Sequence, residues 1–136
     1  LAATTVTVTG YAVIDTNGVL QLKRAHTATL TFTSQSSDLV PDLSVANTKV
    51  FLGIKDAAGR EWLSLEGTVL VPTGLQSVRF TIPASTAEDI PKGTHFFDVI
   101  AVYGYNSANS PPYTSLVPFT SGRANVTDIY LNPLEL

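Results

Sequence analysis

The chain offers little acid, base or metal-ligating chemistry: two histidines, eleven carboxylates and no cysteine. His26 stands in Arg24-Ala25-His26-Thr27 and His95 in Thr94-His95-Phe96-Phe97. Neither has a second histidine at a His-x-His or His-x-x-x-His spacing, so an imidazole metal site would need carboxylates from distant segments. The ordinary role of each is a solvated or hydrogen-bonded ring. The carboxylates are scattered along the chain, and any compact fold brings some pair to the roughly 5 to 10 Å that glycoside hydrolysis uses. Their presence therefore carries no specificity. Asp98 is unusual because it interrupts the apolar run Phe96-Phe97-Asp98-Val99-Ile100. Alternation sets it on the face opposite Phe97 and Val99, as a solvent-facing carboxylate or half of an ion pair between subunits. Asp15-Thr16-Asn17-Gly18 lacks the remainder of a calcium loop and reads as a turn. Asn125-Val126-Thr127 fits the glycosylation triplet, which occurs often by chance. No cofactor and no metal is expected from these residues.

The elements that would position these side chains are strands. The segment Thr27-Ala28-Thr29-Leu30-Thr31-Phe32-Thr33 alternates polar and apolar residues, the two-residue period of a half-buried strand. Val78, Phe80 and Ile82 alternate in the same way with Ser77, Arg79 and Thr81. Thr4 to Thr9 is β-branched throughout and reads as an edge strand. Further strands are expected at Tyr11 to Ile14, Val19 to Leu22, Lys49 to Asp56, Trp62 to Leu65, Thr68 to Val71, Thr94 to Tyr103, Tyr113 to Phe119 and Val126 to Leu131. Turns separate them at Asn17-Gly18, Ala57 to Arg60 and Pro72 to Gly74. Ala84 to Ile90 has room for a single helical turn. Ser34 to Asn47 reads as a long connection, with Leu39, Val40 and Leu43 plugging one end of the core.

With eight to ten short strands and no long 3.6-residue period, the fold class is all-β: an antiparallel β-sandwich of immunoglobulin type. Phe32, Phe51, Phe80 and Val99 are expected inside, anchored by Trp62 or the Phe96/Phe97 pair. A chain of 136 residues forms one domain able to bury roughly 68% of its unfolded surface. A net charge of −3 and a charged fraction of 14% argue against nonspecific nucleic-acid binding, which needs clustered cations. No apolar run approaches the length of a membrane-crossing helix. The absence of methionine, with Leu1 first, suggests a preceding segment or proteolytic processing.

Tyr103, Tyr105 and Tyr113 flank the Asn/Ser/Pro-rich segment Asn106 to Pro112. Tyrosines on a loop suit a protein interface, or a stacking platform for sugars. Thr5 and Thr7 on the amino-terminal strand, Tyr105 and Tyr113 on the loop, and Leu134 and Leu136 in the tail are the candidate assembly contacts. Residues 1–9 and 132–136 act as arms in that scheme. Edge strands and termini with few charges are open to pairing with a partner.

Four segments together resemble a known family: the Leu22-to-Phe32 lead-in with Arg24-x-x-Thr27, Thr48 to Gly59 with its Lys-Asp-x-x-Gly hairpin, Ile90 to Val99 with Pro-x-Gly-x-x-x-Phe-Asp-Val, and the Gly122-to-Ile129 strand. Their order is similar to that in immunoglobulin-like β-sandwich domains of tailed-phage virion proteins, notably the amino-terminal domain of baseplate upper proteins. That family usually has Arg-Gly-Asp-Thr where this chain has Arg24-Ala25-His26-Thr27. The resemblance implies a non-enzymatic virion component held by contacts with phage capsid or tail and baseplate proteins in a large symmetric assembly. A capsid decoration or cement protein fits a domain of this size equally well. Two rival readings stand beside it: a carbohydrate-binding or adhesin module of a bacterial secreted protein, and a hydrolase built on His26 or His95.

Overall fold

A computed structural model describes residues 4–10, 12–14, 19–24, 27–34, 42–73 and 75–127. Over these residues the chain forms β1 (Thr4–Gly10), β2 (Ala12–Ile14), β3 (Leu20–Lys23), β4 (Ala28–Ser34), β5 (Lys49–Asp56), β6 (Glu61–Glu66), β7 (Thr68–Val71), β8 (Ser77–Ile82), α1 (Ala84–Glu88), β9 (Gly93–Tyr103) and β10 (Ser115–Thr127). The strands make a four-stranded sheet in the order β1-β4-β8-β7 and a six-stranded sheet in the order β2-β3-β10-β9-β5-β6. The two sheets pack as a curled sandwich, so the all-β expectation holds. It does not hold that every pairing is antiparallel: β3 runs parallel to β10, Leu20 opposite Ala124 and Lys23 opposite Thr127.

Alternation drives the packing. In β4, Ala28, Leu30 and Phe32 are buried while Thr29, Thr31 and Thr33 are half-buried on the other face. Leu30 and Phe32 stand opposite Phe80 and Val78 of β8. From the six-stranded sheet come Val50, Leu52 and Ile54 of β5 and Phe97, Val99 and Ala101 of β9, all buried. The sheets meet ring to ring, Phe32 lying 5.8 Å from Phe97 and 5.9 Å from Phe80.

The chain moves from one sheet to the other over very short spans. β1 and β2 are edges of different sheets and lie one residue apart in sequence, as do β6 and β7. At the second crossing Gly67 sits against a core ring. A Cβ placed there would come within 2.5 Å of the Phe80 ring, and Phe80 is fully buried.

Three expectations need correction. Phe51 is not an inner-layer residue. It falls between buried Val50 and Leu52 and is half-buried on the outer face of its sheet. Ser115 to Phe119 and Val126–Thr127 do not belong to separate strands. Both stretches belong to β10, which runs between β9 and β3, and residues 128–131 lie outside the described residues. A bulge between Pro118 and Thr120 leaves Phe119 as the extra residue, fully buried. Pro118 has no N–H to give a ladder, and strand prolines collect at such irregularities. Finally, of the expected anchors only Phe97 is buried, Trp62 being half-buried and Phe96 exposed. From Thr4 onward the amino-terminal segment pairs with β4, Thr4 opposite Ser34 and Gly10 opposite Ala28.

The single helical turn, buried Phe32, Phe80, Phe97 and Val99, and solvent-facing Asp98 agree with expectation. Leu43 is buried, whereas Leu39, Val40, His26 and the Asn17-Gly18 turn lie outside the described residues. Replacing Gly67 with alanine forces a methyl group into the Phe80 ring. Overpacking of this kind costs about 1–3 kcal/mol, and a lowered urea midpoint at unchanged slope is the expected reading.

Candidate functional site

One end of the sandwich gathers the connections β4–β5, β7–β8 and β9–β10. The register places them together: Thr33 of β4 faces Ser77 at the start of β8, and Lys49 at the start of β5 faces Val102 near the end of β9. Residues 104–114 join β9 to β10 here and hold a defined shape through backbone bonds. The Asn106 amide donates to the Pro112 carbonyl (2.8 Å), that of Thr114 to Tyr103 (2.9 Å), and that of Tyr105 to Asn47 across in the neighbouring connection (2.9 Å).

The three tyrosines have different roles. The half-buried Tyr103 uses its hydroxyl to accept the Asp42 amide proton, which ties the β4–β5 connection to the end of β9. One residue further along, the Leu43 amide donates to Gln76 Oε1 at 2.6 Å inside the core. Tyr105 folds back over the outer sheet face, 6.1 Å from the Phe51 ring with Lys49 Nζ 5.0 Å from its centroid. Lys49 in turn reaches Glu66 at 3.2 Å. Tyr113 is half-buried and precedes β10 rather than beginning it. With the face of Tyr105 against Phe51 and Lys49, and Tyr103 committed to Asp42, the three rings do not form one open stacking surface.

The same end carries exposed apolar side chains. Of the six large ones exposed among the described residues, Val45, Leu70, Val71, Leu75 and Leu116 lie on these three connections or the strand ends that feed them, and Phe96 is the exception. Sequence reasoning missed the five because they fall in three separate segments of the chain. Only the register of the strands brings those segments to one end. Of the proposed contact residues, Tyr105 and Tyr113 are at this end. Thr5 and Thr7 lie on β1 at the rim of the other sheet, and Leu134 and Leu136 lie outside the described residues.

The opposite end holds the polar groups that acid–base chemistry would use. Asp56 Oδ1 accepts from the Ala58 and Arg60 amides (2.9 and 3.0 Å), while Oδ2 accepts from Trp62 Nε1 (3.0 Å). The Arg60 guanidinium stacks 4.1 Å from the Trp62 ring centroid. His95 is buried. Its Nδ1 donates to the Gly93 carbonyl at 3.1 Å, and its Nε2 has no partner among the described residues. His95 faces Asp56 across the β5–β9 ladder. Among the described residues no three His, Cys, Asp or Glu side chains are grouped to hold a metal. Asp56 thus reads as the pin of its hairpin turn. The sequon asparagine, Asn125, is half-buried within β10 and donates to Gln21 Oε1 at 3.2 Å.

No protein-family model, curated protein or solved structure matches this chain.

The Trp62 indole, then the Arg60 amide, holds the Asp56 carboxyl below its ordinary value. A depressed folded-state pKa means stability that is present at neutral pH and fades as the pH falls from about 4 toward the folded value. Trp62 is the only tryptophan, so its emission should report this acid transition. Asp56→Asn should flatten the transition; an unchanged acid profile would remove Asp56 as its origin.

Proposed function

We propose that this chain is a non-enzymatic virion structural protein of a tailed phage, decorating the capsid or adapting the tail baseplate, and that it works through contacts made by its surface. The observation that carries the reading is the exposed apolar end: Val45 and Leu75 on connections braced by the Tyr103–Asp42 and Gln76–Leu43 bonds, and Leu116 near the start of β10, with half-buried Tyr105 at the same end. Concentrated exposed apolar surface marks protein contact sites, and a pre-ordered loop loses less entropy on binding than a floppy one.

The immunoglobulin-like form of the sandwich belongs to the same proposal, and strand order supports it. With β2 and β3 taken as part of a split first strand, the sheets become A-B-E-D (β1-β4-β8-β7) and A′-G-F-C-C′ (β2/β3-β10-β9-β5-β6). That order is similar to the immunoglobulin one, in which the B–C and F–G connections lie at one end. The described parts of those connections, residues 42–48 and 104–114, belong to the end described above. Binding through that end is an analogy from the fold, and the exposed side chains are the independent support. Sugar binding has less support, because the Tyr105 ring is engaged with Phe51 and Lys49 and the Tyr103 hydroxyl with Asp42.

Sedimentation of a native lysate from the source cells, with the chain detected by antibody, tests the assignment. The chain should travel with heads or with tails, and sedimentation solely as free protein would overturn it. In the same assay, Tyr105→Ala combined with Leu116→Ser should reduce the particle-bound fraction about tenfold or more, the loss expected when buried interface anchors are removed. The thermal midpoint should stay within a few degrees of the unsubstituted chain, since surface changes generally cost under about 0.5 kcal/mol.

A further inference from the structure

Among the described residues the sandwich has four strand edges, and three of them are blunted. β2 has three residues. β6 begins and ends with glutamate and faces a bulge between Ile54 and Lys55. β7 has four residues, a bulge between Val69 and Val71, and Pro72 directly after it. Shortness, charge, bulges and proline are the devices by which sheets avoid joining their neighbours. β1 has none of them. It is seven residues long, carries no charge or proline, and pairs with β4 without a register shift.

Its sequence is also its own mirror. Thr5-Val6-Thr7-Val8-Thr9 reads the same in both directions around Thr7, and Thr7 is the middle residue of Thr4–Gly10. An antiparallel pairing of β1 with β1 of another copy, centred on Thr7, therefore uses the whole strand. It sets Thr7 opposite Thr7, Val6 opposite Val8, and Thr5 opposite Thr9. A two-fold interface must be self-complementary in just this sense, residue i meeting j where j meets i. The pairing also preserves the faces. Thr5, Thr7 and Thr9 stand opposite Thr33, Thr31 and Thr29 of β4, the row away from buried Leu30 and Phe32. Like residues stay on like faces through β4-β1-β1-β4, so neither side of the joined sheet has to repack.

We infer that the partner of β1 is a second copy of this chain, the two four-stranded sheets joining about a two-fold axis at Thr7 into one eight-stranded sheet. This deepens the assembly reading and rests on it for its biological setting, although the pairing itself can be measured without particles.

The absence of cysteine makes the register directly testable. Residues facing each other across an antiparallel pair have Cα atoms about 4.5 to 5.5 Å apart, within the range a disulfide spans. In this register Thr7 meets its own copy, whereas two Thr5 residues lie four positions apart along the pair, about 14 Å. Purified full-length chain at about 100 μM should have the mass of a dimer by light scattering. With oxidised glutathione, Thr7→Cys should become a covalent dimer at least tenfold faster than Thr5→Cys. A monomeric chain, or equal rates for the two variants, overturns the inference, whether or not the chain sediments with particles. Faster linking at Thr7 supports it even if the chain sediments alone, an outcome that would remove only the virion assignment.

Discussion

The contact between Phe97 of the six-stranded sheet and Phe32 of the four-stranded sheet is the constraint from which most of the architecture follows. Phe32 also meets Phe80 edge to face, so one buried ring touches an aromatic partner in its own sheet and another in the opposite sheet. Such rings fit only where neighbouring backbone leaves room. Gly122, opposite Phe97 in the β9–β10 ladder, provides it on one side: a Cβ there would lie 2.9 Å from the Phe97 ring. Gly67 does the same for Phe80 at the crossing between sheets. Each fully buried aromatic or large aliphatic side chain contributes about 1.5–3 kcal/mol, so the interior is committed to stability. What meets a partner must then be displayed at edges and connections.

The ends of the sandwich are closed by different means. At one end polar groups are spent on the backbone. Asp56 satisfies two amides and an indole within one hairpin turn, and the Arg24 guanidinium reaches the Glu88 carbonyl at 3.0 Å. At the other end, Tyr103 and Gln76 hold the connections from within, which leaves apolar side chains facing outward. An exposed apolar side chain on a well-held loop gains from burial by a partner, and the holding bonds reduce the ordering cost.

Strand existence was legible in the sequence because β4, β5, β8 and most of β9 keep strict alternation against one buried face. Where that grammar was broken, the reading failed for physical reasons. Phe119 was invisible as a core residue because the bulge after Pro118 flips the phase: Val117 and Phe119 lie on the inner side before it, Ala124 and Val126 after it. Phe51 was misplaced because its size suggested burial while its parity with Val50 and Leu52 said the reverse. The parallel β3–β10 pair depends on contacts about a hundred residues apart, which no local pattern encodes. Of the site, only the tyrosines were legible, as a cluster in sequence. Val45, Leu75 and Leu116 become neighbours in the argument only once strand register is known.

His95 shows how far side-chain chemistry is subordinate to the fold. By residue type it was one of two candidates for catalysis or metal binding, yet alternation along β9 turns it inward with Phe97 and Val99. Its Nδ1 is then occupied by the Gly93 carbonyl two residues away. With one nitrogen bonded locally and the other enclosed by packed groups, His95 fills space in the core with a polar edge. The cations tell the same story: Lys49 lies over Tyr105 and Arg60 over Trp62, each a few residues or one strand away, extending the cover over the aromatic rings beneath. These polar and cationic groups are engaged with nearby backbone and rings, which stiffens the sandwich.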